Sequence, residues 1–512
     1  MSTKLRISKL LSGKLMAAFL SATLLAGFSS CGNSSKKELN KLLLECADND
    51  KTVDASDWSK IQTFINDNKR NLRQFYSDDK IDEAKVKEYI TDFFTNRRPS
   101  KQISFYGMTG DAFMKVKFYL ERSGSTFGYD APQTKGDFKA AIVQLLNNIP
   151  GDNAAYENYV VNDSIYPYPG TFKDFISDPN IFQTTKNIGN AKYTDFNSIF
   201  SSILDETKSN ELGILVTDLI YSTKEMQQIS AQKIFNEETG MANVAFGKHT
   251  GDKAVLVLQM MGDFSGPYYP YNAAKNTQYK GQRPYYFIII GNNDDIRRIS
   301  TDETYKNFVS FNDLGGFQHR CLFAKTEMYE PYFTIALDNA SNKGKFRVDR
   351  DSRGKGGTVK AITKIEADPN SGSFQFSVAV DLKSVLADKE YVEDVKNYEV
   401  KGGDPFTVVE VKEITAADIK PSNKDALSHA THFITLATDK FTHKQTLSVK
   451  LLNRLPAWVE AASSDDDTNT KSADFSKTTF GLKYFMKGVY DAYRNKSTEE
   501  PCYFDLNIEL NK

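Results

Sequence analysis

Between residues 100 and 300 the chain sets five nearly unbroken apolar runs among helical stretches: Val116–Leu120, Tyr159–Val161, Gly213–Thr217, Ala254–Met260 and Tyr285–Ile290. A strand that is apolar along its whole length has to be covered on both faces, which an α/β sheet achieves by placing helices above and below it. Two of those helices are legible. Phe138, Ile142, Leu145 and Ile149 share one face, with Asp137 as a cap and Pro150-Gly151 as a stop. Phe196, Ile199, Phe200 and Ile203 share another, opened by Thr194-Asp195. The fold class expected for residues 100–300 is therefore α/β, a doubly wound and mostly parallel sheet.

From residue 301 the pattern changes to alternation. Phe374, Phe376, Val378, Val380 and Leu382 alternate with small or polar residues, the signature of half-buried strands. Similar runs occur at Tyr332–Leu337, Val359–Ile365, Phe406–Val411, His432–Leu436, Leu447–Leu451 and Phe504–Leu510. A β-sandwich over 301–512 is expected, with one late helix around Phe480–Tyr493 and a loop at Ser463–Thr470. Within it Asp465-Asp466-Asp467 reads as solvated, and Gly354-Lys355-Gly356-Gly357 as a turn without phosphate-loop spacing.

Residues 31–99 read as a helical spacer, with Leu39, Leu42, Leu43 and Cys46 on one face, then Trp58, Ile61 and Ile65, then Val86, Ile90 and Phe93. Two acidic turns separate these helices. The first resembles a decayed EF-hand loop, with Asp48, Asp50, Asp54 and Asp57 at ligand positions. It has Cys46 at position one and Lys51 where the sharp turn needs Gly, which argues against Ca²⁺. Acidic helix caps are the competing reading.

The N-terminus has its own logic. Lys4, Arg6, Lys9 and Lys14 precede an uncharged apolar run, Leu15–Phe28, and then Ser29-Ser30-Cys31. That is the layout of a secretory signal over residues 1–30, too short to span a bilayer comfortably. A Cys directly after small residues resembles the lipobox of bacterial lipoproteins, although Phe28 stands where that motif usually has Leu. The resemblance implies lipidation of Cys31 and attachment to a membrane. Gly32 in place of the inner-membrane retention Asp implies the outer membrane, and Lys36-Lys37 favours the periplasmic side over the surface. Losing the signal shifts the formal charge from −1 to −5, and no basic excess suited to nucleic acid remains. Cys46, Cys321 and Cys502 are left, without metal-ligand spacing; the sequence assigns no disulfide among them.

In doubly wound folds ligands bind beyond the carboxyl ends of the strands, at the switch in strand order. The residues placed there are Glu121-Arg-Ser123-Gly-Ser125 with Gly128, then Thr194 at a helix start, then Thr217-Asp218. Acid-x-Ser-x-Ser, Thr and Asp in that order resemble the metal-ion-dependent adhesion site of the von Willebrand factor A family. The resemblance implies that Glu121, Ser123, Ser125, Thr194 and Asp218 form a site for Mg²⁺ or Mn²⁺. Ser123 and Ser125 would ligate through hydroxyls, Thr194 would join in a tight form, and Asp218 would act through water. Mg²⁺ takes about six oxygens and gives up water reluctantly. An under-neutralised ion can recruit a partner's carboxylate, so the site would bind without catalysing. Glu121 departs from the family's Asp by one methylene, which leaves a metal-free variant open.

Two further loops are expected at the same edge: a Tyr-rich insertion from Gly262 to Tyr279, with Phe264, Tyr268 and Tyr269 as contact residues, and the turn carrying Asp294. A lid packed on the β-domain is the alternative for the first. Enzyme signatures are weak. The five histidines include His429-x-x-His432, which enters a strand and lacks the helical spacing of a zinc pair, and Ser123 has no nucleophile elbow. The functions expected are an envelope protein that binds a protein or glycan partner, a metal-free scaffold, or, least supported, a hydrolase.

Overall fold

The computed structural model describes residues 34–47, 52–53, 55–77, 79–97, 103–105, 113–151, 156–221, 229–271, 273, 275–325, 327–349, 358–441, 444–494 and 499–511. The expected signal segment, the expected lipidation site Cys31, Asp48, Asp50, Asp54, His443 and the stretch 354–357 expected to form a turn lie outside them. Chain contacts divide the protein into two compact units, 1–112 and 113–512.

The first unit contains helices 34–47, Ala55–Asp67 and Glu83–Arg97. Leu39, Leu43, Trp58, Ile61, Ile65, Val86 and Ile90 are buried in one cluster, as the helical spacing requires. Phe94 is buried more deeply there than Phe93. The second acidic turn serves as a cap: the Lys85 N–H donates to Asp82 at 3.3 Å, and the Ser77 hydroxyl donates to the same carboxylate at 2.7 Å. Asp57 lies in the first turn of its helix and pairs with Lys60 at 3.0 Å.

The second unit is mixed α/β. Its larger sheet uses β1 (Lys115–Glu121), β2 (Glu157–Val161), β3 (Ile165–Pro167), β4 (Glu211–Thr217), β5 (Lys253–Tyr268), β6 (Thr277–Asn292) and β7 (Phe317–Phe323). Their spatial order is β7-β5-β6-β4-β1-β2-β3. Helix α1 (Asp137–Asn147) packs with Phe118, Leu120, Ile214 and Phe287 on one face. On the other, α2 (Phe196–Glu206) and α3 (Ala231–Gly247) meet Tyr119, Leu215, Val257 and Ile288. The two-faced burial read from the apolar runs is present.

Strand direction is where the sequence expectation fails. Only β1–β2 and β1–β4 are parallel; the other four pairings are antiparallel. Apolar continuity reports that both faces are covered, whereas direction is set by the connection. β5 and β6 form one long hairpin, and a short connection can only return antiparallel. The supposed loop at 262–279 is mostly the distal half of that hairpin, in register from Gly262 opposite Arg283 to Tyr268 opposite Thr277.

Two further sheets make the β-layers. One has the order β8-β11-β14-β13, where β8 is Phe333–Ala336, β11 Phe374–Val380, β13 Thr407–Glu413 and β14 His432–Thr438. The other is β9-β10-β16-β15-β12: β9 Lys345–Val348, β10 Ala361–Glu366, β12 Tyr398–Lys401, β15 Gln445–Leu452 and β16 Cys502–Leu510. Phe374, Phe376, Ile434 and Leu436 of the first share a buried cluster with Leu447, Val449, Phe504 and Ile508 of the second. Asn293–Thr301 forms α4, and the late helix, Leu482–Arg494, is α5. α5 packs on α2 and α3, with the Phe485 ring 5.3 Å from Phe200 and 6.1 Å from Phe246, and reaches β7 through Tyr493 beside Phe323. Strand β7 and helix α5 thus serve the α/β layer from beyond residue 300. Among the described residues none of Cys46, Cys321 and Cys502 forms a disulfide, and no helix is long and apolar enough to cross a membrane.

Candidate functional site

Strand order changes side at β1. The chain leaves β1 through α1 to reach β2, then returns through α2 to place β4 on the opposite flank. The carboxyl ends of β1 and β4 therefore lie at the switch point, where sheets of this kind bind ligands. Register sets what lines it: Leu120 pairs with Val216, which carries Glu121 alongside Thr217.

Glu121 is 1 % exposed and sits at the centre. The Thr194 hydroxyl donates to its Oε1 at 2.6 Å and the Thr217 hydroxyl to its Oε2 at 2.5 Å. Thr194 reaches this position because Asp195 caps α2, accepting from the Ser198 N–H, while the Asp195 N–H is held by the Asn162 carbonyl. The Ser123 and Ser125 hydroxyls lie 3.0 Å apart. Thr126 shapes their loop: its hydroxyl accepts from the Ser123 N–H at 3.1 Å and donates to the Ser123 carbonyl at 3.0 Å. Gly128 is required just after, since a Cβ there would run into the Phe264 ring. Beyond β4, Asp218 Oδ1 accepts from the Ile220 N–H at 3.1 Å and Thr217 Oγ1 from the Leu219 N–H at 2.9 Å. Leu219 is held at φ +53°. A branched side chain in the left-handed region costs roughly 1–2 kcal/mol, and such strain concentrates at functional sites.

Electrostatics mark the same place. Burial, followed by the nearby Asp218 charge, pushes the Glu121 carboxyl up to about 8, against hydrogen bonds from Thr194, Thr217 and Ser123. Burial also raises Asp218, opposed by Ser125, the Ile220 N–H and the charge of Arg283. Arg283 is itself buried, donating to the Thr478 carbonyl at 3.0 Å and to that of Phe475, beneath the Tyr268 ring at 4.9 Å. Asp218 Oδ2 is buried and has no hydrogen-bond partner.

The five residues taken from the motif, Glu121, Ser123, Ser125, Thr194 and Asp218, are thus brought together. The proposed contact residues are not. Phe264 is core, edge-on to Tyr129 at 5.1 Å. Tyr268 is 1 % exposed and donates to Asp467 at 2.7 Å. Asp467, read as solvated, is buried for that reason and also accepts from the Tyr271 N–H. Tyr269 alone lies at the rim, its exposed ring against Gly124. Asp294 is misplaced entirely. It opens α4 after Asn292, which pairs with Lys253 at the start of β5, so it stands at the amino ends of β4 and β5, paired with Arg297. The antiparallel course of β6 reverses the edge at which its exit loop emerges.

Thr126 and Arg283 were missed, and Thr217 was placed at the strand end without a site role. Thr217 had a legible signal, a hydroxyl ending an apolar strand beside the acid. Arg283, after Lys280-Gly281-Gln282 at the polar entry to an apolar run, gave no such signal.

The donor set fits a hard divalent ion. It offers carboxylate and hydroxyl oxygens without nitrogen or sulfur, as Mg²⁺ and Mn²⁺ prefer. A hydroxyl that donates its proton to Glu121 keeps two lone pairs for a cation. Ser123, Ser125, Thr194 and Asp218 Oδ2 would hold the ion, with Glu121 supplying charge behind them. Buried carboxylates are stabilised by protons, by cations or by hydrogen bonds, and a dication would serve here. No protein-family model, curated protein or solved structure matches the chain.

Proposed function

We propose that this chain is a lipid-anchored cell-envelope binding protein, tethered through Cys31 at the outer membrane and facing the periplasm. Its strand-exit rim, of von Willebrand A type, holds Mg²⁺ or Mn²⁺ and through it an oxygen ligand of a protein or glycan partner. One observation carries this reading. Two buried acids and four hydroxyls (Ser123, Ser125, Thr194, Thr217) meet where strand order switches, and Asp218 Oδ2 is left without a partner. The parallel trio β2-β1-β4 supports the family reading; the inserted hairpin β5–β6 is a departure from its mostly parallel sheet. The test is thermal unfolding with Mn²⁺ or with EDTA. Wild type gains stability with the ion, and Ser123→Ala combined with Asp218→Ala removes the gain. A gain that survives the double substitution refutes the assigned ligands.

A second reading, a metal-free scaffold, is favoured by Glu121 having both oxygens engaged by threonine hydroxyls. Glu121→Asp separates the two: if only the Asp variant binds the ion, the native site is a scaffold element.

A further inference from the structure

A different cluster, in the β-layers, carries an inference independent of the rim. His432 opens β14 and pairs across the strands with Glu413, the last residue of β13. Glu393 ends a short helix, Lys389–Glu393, and brings a second carboxylate to the same imidazole. One ligand atom from each of Glu393, Glu413 and His432 lies within 4.8 Å of the others. The sequence hid this trio, because its members are spread over forty residues. The neighbour that spacing offered, His429, instead lies against the Tyr332 ring at 5.5 Å.

The orientation of the imidazole is fixed from behind. His432 Nδ1 lies 2.9 Å from Thr431 Oγ1. That hydroxyl accepts from the Leu382 N–H at 2.9 Å, and the Val380 carbonyl, which already accepts the Thr431 N–H at 2.9 Å, lies 3.4 Å from it. The single hydroxyl proton goes either to Val380 or, by the shorter contact, to Nδ1; a metal ion at Nε2 selects the tautomer in which Nδ1 carries the hydrogen and the hydroxyl accepts it. Nε2 faces Glu393 Oε1 at 3.9 Å, beyond hydrogen-bond reach. An imidazole nitrogen that shares a 4.8 Å cluster with two carboxylates is a ready ligand set for a metal ion, and a ligating histidine is commonly held through its other nitrogen in this way.

We propose that Glu393, Glu413 and His432 form a second metal site, selective for Zn²⁺ over Mg²⁺ and Ca²⁺, that clips the start of β14 to the Lys389–Glu393 helix. One nitrogen and two carboxylates, with water as a fourth ligand, is a zinc-type set. Ligand atoms around tetrahedral zinc stand about 3.3–3.6 Å apart at bond lengths of about 2.0–2.2 Å. Closing the trio therefore needs side-chain rotation of roughly an ångström, which the half-exposed Glu413 permits. Lys389 is the competitor: its ammonium holds Glu413 at 2.8 Å and Glu393 at 3.7 Å, and it is itself exposed. Zinc entry releases that ammonium to solvent.

The experiment is calorimetric titration of the full chain with Zn²⁺ near neutral pH, with excess Mg²⁺ present to occupy the rim. Wild type is expected to take up one zinc equivalent that His432→Gln and Glu413→Gln each lose. Lys389→Met is expected to bind several-fold more tightly. Glu413 is exposed, so its substitution tests the site without disturbing the core, and unchanged unfolding in EDTA verifies both variants. Wild-type stoichiometry retained in both glutamine variants, or no saturable uptake by wild type, overturns the proposal.

Discussion

Replacing Glu121 with Gln tests the electrostatics of the rim directly. In the unfolded chain this carboxyl ionises near 4.5; in the fold, burial and Asp218 push it up to about 8. A folded-state value raised for an acid means that the charged form is disfavoured by folding. Stability is full below 4.5, falls as pH rises through that window and levels off above 8. At about 1.4 kcal/mol per pH unit the ionised carboxyl costs the ion-free protein up to about 5 kcal/mol. Gln has the same shape and no charge, but its amide must reverse one threonine hydrogen bond at a cost of about 1 kcal/mol. The variant should therefore be about 2–4 kcal/mol more stable than wild type at pH 8 in EDTA. The unfolding entropy of the 113–512 unit, at about 2.1 cal/mol/K per residue, is roughly 0.8 kcal/mol/K. The midpoint should rise by about 2–5 °C at pH 8 and change little at pH 4.5. Mg²⁺ should reverse the order, because only wild type keeps the charge that attracts the ion. Differential scanning calorimetry at both pH values, with EDTA and with Mg²⁺, reads all of this. A variant no more stable at pH 8 in EDTA, or one that gains as much from Mg²⁺ as wild type, would refute the reasoning.

Three more outcomes are expected. Asp295→Asn at the opposite edge removes a carboxyl that burial pushes up to about 6 while it accepts from the Asn210 N–H at 2.9 Å; urea unfolding should show the variant about 2 kcal/mol more stable at pH 8 and level with wild type below pH 4. Gly128→Ala drives a methyl into the Phe264 ring and should cost about 1–3 kcal/mol by overpacking; an unchanged urea midpoint would contradict that packing. Cys31→Ser should move the protein from the detergent phase to the aqueous phase in phase partitioning, and retention in detergent would exclude lipidation as the anchor.

What the sequence by itself determined is whatever depends on neighbours along the chain. Apolar runs such as Gly213–Thr217 required cover on two faces, and the Asp195 helix start followed from local capping chemistry; alternation at Phe374–Val380 marked a strand, but its small residues Ser377 and Ala379 are buried as well, and α1 is preceded by Gly136 without a side-chain cap, Asp137 being its first residue. The ordered set Glu121, Ser123, Ser125, Thr194 and Asp218 was legible because each member ends a strand or precedes a helix. Tertiary structure alone decided direction and depth. A continuous apolar strand reads the same in either direction, so the antiparallel run of β6 was hidden, and with it the edge on which Asp294 emerges. Composition could not show that Tyr268 and Asp467 bury each other across nearly two hundred residues, or that Thr217 engages the second oxygen of Glu121. Such contacts depend on which segments meet in space, and a linear pattern carries only the periodicity with which each segment meets its surroundings.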